Sequence, residues 1–310
     1  MSSSTLGMTL AVAALMMFSS NIILTKLAMA RLSLDVGFVV AVAVNVIFGA
    51  LAFAGGLLVR PDRVHWDGPG FWMFLGAGVL TTYLGRFFFF EAVARLGPAK
   101  ASTFQISSPL FTVLIAWLLL GERIGAPIFA AMVVVVLGLY LVSVAPRDGG
   151  GKRSPAVSAR RKVQRVLASG VGLGVGSSLA YAVGNVVRGA AIHRWDEPIL
   201  GALLGAISGI VLHFMFSPAR NHLHAMVRAA DRSGLAVYAV CGMLTITGQM
   251  LTLAAMSHIA VSIVALVTLC SPLIVFPASY LLFRGDARIT PRVVVGTVLA
   301  LGGIAVIVLR

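Results

Sequence analysis

The chain has 310 residues, 59% hydrophobic and 11% charged, with a net charge of +14. Soluble domains carry about 25% charged residues, so a soluble globular fold is excluded. The basic excess sits between apolar stretches rather than on one polar face, which speaks against nucleic acid and for contact with anionic lipid headgroups.

Ten apolar stretches run along the chain, at about 6–29, 36–59, 71–95, 98–119, 126–145, 166–190, 198–217, 234–256, 259–283 and 290–309. Each approaches the roughly 20 residues of helix that cross a hydrocarbon layer. The expected fold is all-α and integral to the membrane, with ten transmembrane helices. Ala28-Met29-Ala30 has the small-x-small form of a cleavage site, but no Lys or Arg precedes the apolar run. Asn21 in that run also has a counterpart in Asn185, so the first stretch is expected to be retained. The second stretch carries Asn45; the third carries Arg86, Glu91 and Arg95; the fourth carries Gln105, Ser108 and Pro109. Between the fifth and sixth lies a linker, 146–165, with Gly149-Gly150-Gly151, Pro155 and seven basic residues. Gly170, Gly172, Gly174 and Gly176 open the sixth stretch with no strand before them, which makes them a packing face rather than a nucleotide loop. Gly201, Gly205 and Gly209 repeat every four residues in the seventh and form one narrow face for a neighbouring helix. His222 and His224, two apart in a basic loop, do not share a helix face, and no metal site is expected. Cys241 and Cys270 read as small buried hydrophobes.

The stretches form a repeat. Gly85 to Leu120 matches Gly248 to Phe283 at an offset of 163, with Ser108-Pro109-Leu110 meeting Ser271-Pro272-Leu273. One inserted residue moves the offset to 164, after which Pro127 meets Pro291 and Gly138 meets Gly302. Five stretches per half is odd, so the second half enters the membrane from the opposite side and the halves are inverted copies. That is the arrangement in which rocking about a midplane site gives alternating access. The expected organisation is a first five-helix repeat at 1–145, the linker at 146–165, and a second repeat at 166–310.

Particular motifs carry a family resemblance. Phe87-Phe88-Phe89-Phe90-Glu91-Ala92-Val93, Gly97-Pro98-Ala99, Ser108-Pro109-Leu110-Phe111 and Leu120-Gly121-Glu122-Arg123 together resemble the EamA-like branch of the drug/metabolite transporter superfamily. The second half departs from the pattern, with Phe283-Arg284-Gly285-Asp286 at its corner and Ile259-Ala260-Val261 at its turn. Asn45 stands about where many relatives carry an arginine. The resemblance implies a permease of small metabolites and leaves the substrate open.

Ionisable groups inside the membrane cost roughly 2.5–3.5 kcal/mol on insertion scales, so each needs a partner or a wet cavity. Arg86 lies deep in the third stretch, and its repeat partner is Gln249. Glu91 is five residues away, a poor angle, and suits Arg95 better. Arg86 is then either an anchor for a carboxylate or phosphate, or half of a structural pair. Asn21 and Asn185 are matched amides that either hydrogen-bond a solute or hold helices together. Pro109 and Pro272 each release the carbonyl four residues before them, those of Gln105 and Thr268. Such groups line a cavity or are satisfied by neighbours, which makes the two Ser-Pro kinks candidate gates or site walls.

No Ser-His-Asp set, paired carboxylates or metal cluster lies at one depth, so no enzyme and no cofactor is expected. The reading is a permease of the inner (plasma) membrane that exports an amino acid or similar carboxylate-bearing solute. Arg86 is its anchor, and Asn21, Asn185, Gln105, Gln249, Ser108 and Ser271 line the route. Facilitated export or exchange is favoured over strong proton coupling. The alternative is a non-transporting membrane scaffold or an accessory subunit for lipid-carrier chemistry. Loops after odd-numbered stretches hold 17 Lys and Arg and the opposite set with both tails six. The positive-inside rule therefore puts the linker in the cytoplasm, whereas the resemblance implies cytoplasmic termini.

Overall fold

Two helices in lipid gain nothing from the hydrophobic effect when they touch, so close packing depends on small residues that let backbones approach. The computed structural model describes residues 2–29, 31–32, 34–59, 65–96, 107–122, 125–144, 170–216, 227, 230–282 and, near the C-terminus, 291–292, 295–296, 298–299 and 302–303. Among these residues there is no strand. The linker 146–165, the turn 97–99, Gln105, Arg123, His222, His224 and the corner 283–286 lie outside them.

The helices are α1 (Ser3–Met29), α2 (Leu34–Val59), α3 (Gly68–Gly78), α4 (Arg86–Leu96), α5 (Ser108–Leu120), α6 (Ala126–Val144), α7 (Gly170–Arg194), α8 (Pro198–Phe216), α9 (Arg232–Met256), α10 (Val261–Leu269) and α11 (Ser271–Leu282). Five stretches, Ser3–Thr25, Val36–Val59, Gly170–Arg194, Pro198–Phe216 and Arg232–Met256, are long and apolar enough to cross a membrane. The protein is therefore a multi-pass membrane protein. Two departures from the expected spans matter. The third is a single run in which α3 passes into α4 through a π-helical segment, Val79–Gly85. The sixth runs to Arg194, four residues beyond the expected end.

The ninth span is broken at Cys270, whose backbone (φ −70°, ψ 4°) leaves the helical ladder. Pro272 has no N–H to offer the Thr268 carbonyl. The Ser271 hydroxyl takes that place, donating to the Thr268 oxygen at 2.8 Å. The first Ser-Pro pair opens α5, where Pro109 occupies the first turn that tolerates it. That helix stops at Gly121, whose φ of 65° is left-handed and favours glycine.

The chain divides into two compact units, Met1–Tyr83 with Gly184–Ala278 and Leu84–Val183 with Ser279–Arg310. Each unit draws on both halves of the sequence. In the first unit α1 and α2 pack along α9, α8 packs on α2 and α3, and α10 lies against α1. Where α3 crosses α8, Phe74, Gly78 and Thr82 meet Gly201, Gly205 and Gly209. Four-residue spacing on both helices brings the backbones together: a Cβ on Gly78 would lie 2.5 Å from the Gly205 Cα. At one set of helix ends Arg194 Nε donates to Asp67 Oδ2 at 2.7 Å, and Ser257 Oγ to Asp196 Oδ1 at 2.7 Å. Buried Trp195 sits beside exposed Trp66, ring centroids 5.8 Å apart. At the other set Asp231 caps α9, accepting from Gly234 N at 3.0 Å and Ser233 Oγ at 3.0 Å.

In the second unit Ser177 Oγ of α7 donates to the Gly85 carbonyl at 2.8 Å. A Cβ on Gly176 would lie 3.5 Å from the Phe88 ring, and Gly303 lies against Val135 and the Ala131 carbonyl of α6.

Two outcomes follow from this packing. Gly78→Ala should lower the melting temperature in detergent, by the equivalent of about 1–3 kcal/mol of overpacking. Gly56→Ala, where a Cβ meets nothing within 4 Å, should not lower it. Asp231 carries the second. Its Gly234 N–H and Ser233 hydroxyl, with Arg31 adding a smaller share, hold its carboxyl below the usual 3.8. A lowered folded-state pKa gives stability that is present above the unfolded value and lost as pH falls through the folded one. Asp231→Ala should therefore melt earlier than wild type near neutral pH, and thermal scans should show the gap closing only as pH falls below the ordinary carboxylate range.

Candidate functional site

Burial of a guanidinium marks the site. Arg188 is 8% exposed on α7, six residues short of the helix end, and its Nη2 donates to Gln249 Oε1 of α9 at 3.3 Å. Its Nη2 reaches the glycine crossing: a Cβ on Gly205 would lie 3.4 Å from it. Gly205 therefore leaves room beside the α8 backbone for a planar charged group. Gln249 makes no other hydrogen bond among the described residues, so its amide nitrogen keeps donor capacity beside the guanidinium. An arginine and an amide donor in one place suit a planar anion such as a carboxylate.

The sequence reading missed Arg188. Closing the sixth span at 190 left that arginine among the charges at the membrane edge. The usable signal was Gly189-Ala190-Ala191-Ile192, an apolar turn that carries the helix on past the arginine.

The expected site residues fall in several places. Gln249 holds Arg188. The Asn21 side-chain oxygen accepts from Thr25 Oγ1 at 3.4 Å, and Thr25 Oγ1 is also 3.5 Å from Cys241 Sγ, in the seam between α1 and α9. Asn185 is half-buried on α7, and no hydrogen bond joins it to Asn21 among the described residues. Ser271 closes the Pro272 kink. Ser108 is buried and its carbonyl accepts from Thr112 Oγ1 at 3.0 Å. Pro109 is buried with it in the second unit. Arg86, half-buried, opens α4 in the same unit. Asn45 is 3% exposed between α2 and α9, and its neighbours assign its amide nitrogen to the end that faces two acceptors, Ala41 O at 3.0 Å and Gly242 O at 2.6 Å. No group of three His, Cys, Asp or Glu among the described residues is arranged to hold a metal.

Apolar membrane-crossing helices around a buried cation and amide define a helical membrane protein with a polar interior site. The EamA-like transporter family matches residues 5–144 and again 168–309. The chain belongs to that family.

An uncharacterized protein, PA1977, of Pseudomonas aeruginosa is 32% identical over 117 residues, 37% of this chain and 40% of that protein. The pseudopaline exporter CntI of Pseudomonas aeruginosa is 37% identical over 87 residues, 28% of this chain and 30% of the exporter. Both matches span well under half of the relatives' length. A solved structure described only as the crystal structure of a protein superposes with a TM-score of 0.73, covering 98% of this chain and 96% of that one at 19% identity, and so shares the fold.

Proposed function

We propose that the protein is a secondary transporter of the inner (plasma) membrane that exports a small carboxylate-bearing solute, such as an amino acid, with Arg188 as an anchor. The observation that carries this reading is the buried Arg188 guanidinium beside the Gln249 amide in the membrane-crossing part of the first unit. A charge there is costly to insert, and solute-binding sites are where such a cost is usual. Arg188 meets the carboxylate with its paired N–H groups, and the Gln249 nitrogen donates to a second acceptor on the solute.

Ten crossing helices in two inverted five-helix repeats, 1–145 and 166–310, support alternating access about a midplane site. The offset Ser-Pro-Leu triplets and the twofold family match favour that arrangement. Outward direction is supported by the exporter named among the relatives. Arg86, Asn185, Pro109 at the start of α5 and the kink at Pro272 remain the further candidates for the route.

Counterflow in proteoliposomes tests the reading, with pools of unlabelled amino acids and organic acids loaded inside and labelled uptake followed. One pool should drive uptake in wild type. Arg188→Gln should weaken apparent affinity roughly 10–100-fold, the loss expected for a charge-assisted hydrogen bond. Equal uptake by Arg188→Gln would remove that anchor, and Arg86→Gln run beside it would then show whether the other arginine serves. Uptake driven by none of the pools would overturn the carboxylate class.

A further inference from the structure

An α-helix turns about 100° per residue, and a π turn closes its hydrogen bond over one residue more than an α turn. The segment Val79–Gly85 therefore holds one surplus residue between α3 and α4. A wide turn that slipped past Arg86 would turn that residue by roughly 100° about its own helix axis. The helix is held on either side of the segment. Before it, Gly78 is pressed on Gly205, and Thr82 in the segment meets Gly209. After it, the Gly85 carbonyl accepts from Ser177 Oγ at 2.8 Å and Phe88 lies over Gly176. Ser177 is fully buried, so this is an interior hydrogen bond rather than a surface contact.

We propose that Ser177 is a positioning residue: its bond to Gly85 keeps the surplus residue inside the π segment and so fixes which way Arg86 faces. A wide turn can otherwise pass along a helix by exchanging one main-chain hydrogen bond for the next. A hydroxyl from α7 on the last carbonyl of the segment gives that exchange a fixed stop. Arg86 opens α4 immediately after the stop, so its direction is the first thing a slipped turn would change. The consequence for transport rests on the reading above; the orientation itself does not.

The test reads orientation by disulfide crosslinking, in protein carrying Cys241→Ser and Cys270→Ser. Gly176→Cys is combined in turn with Phe87→Cys, Phe88→Cys and Phe89→Cys, and intramolecular crosslinks are counted by peptide mass spectrometry. The Phe88 pair should form best. Adding Ser177→Ala should lower its yield by a factor of about 2–10, the range expected for one lost hydrogen bond, and raise a neighbouring pair. Ser177→Thr should restore the original pattern. Deleting Leu84 removes the surplus residue and makes the helix α throughout, so in that background Ser177→Ala should leave the pattern unchanged. A pattern insensitive to Ser177→Ala would overturn the proposal, as would an equal loss with and without Leu84. A correct crosslink pattern in protein that no solute pool loads would instead count against the transport reading and leave the positioning role standing.

Discussion

The crossing of Gly78 over Gly205 is the constraint on which the first unit depends. Lipid supplies no hydrophobic gain for bringing helices together, so contact comes from dispersion between closely spaced atoms, which falls away over a fraction of an ångström. Two facing glycines bring α3 and α8 to backbone contact, and Phe74 with Gly201 and Thr82 with Gly209 extend the seam by a turn each way. The same closeness leaves space beside Gly205 for the Arg188 guanidinium. A methyl group at this crossing would move the two helices and the charge beside them together.

Legibility in the sequence follows the reach of each signal. Apolar length located the helices, because a membrane-crossing helix is hydrophobic nearly all round. The face Gly201, Gly205 and Gly209 was readable from spacing alone, since a period of four lies close to the helical period. The Pro272 kink was readable too, because a missing N–H leaves a particular carbonyl without a donor. That Ser271 itself would satisfy Thr268 depended on backbone angles at Cys270, which no composition encodes. The π segment was invisible for a related reason. One surplus residue shifts a hydrophobic pattern by an amount that apolar residues on every side conceal.

Arg188 shows how a small boundary error can hide a buried charge. Four residues at the end of α7 separate a charge at the helix end from one buried along the helix. Arg86 and Gln249 are matched at the offset of 163, which drew attention to Arg86 and to Gln249 as its counterpart. The structure shows Gln249 engaged by an arginine from another helix. Partners in a repeat are equivalent positions, and equivalence says nothing about which residues touch.

The serine that closes the Pro272 bend makes the stiffness of that helix depend on water. In dry surroundings the Thr268 carbonyl has Ser271 beside it, and opening the bend breaks a buried bond. Where water reaches the carbonyl it replaces the hydroxyl at nearly equal enthalpy. The elbow between α10 and α11 is therefore firm when dry and loose when wet. The firmness of this joint thus turns on how much water reaches a single carbonyl.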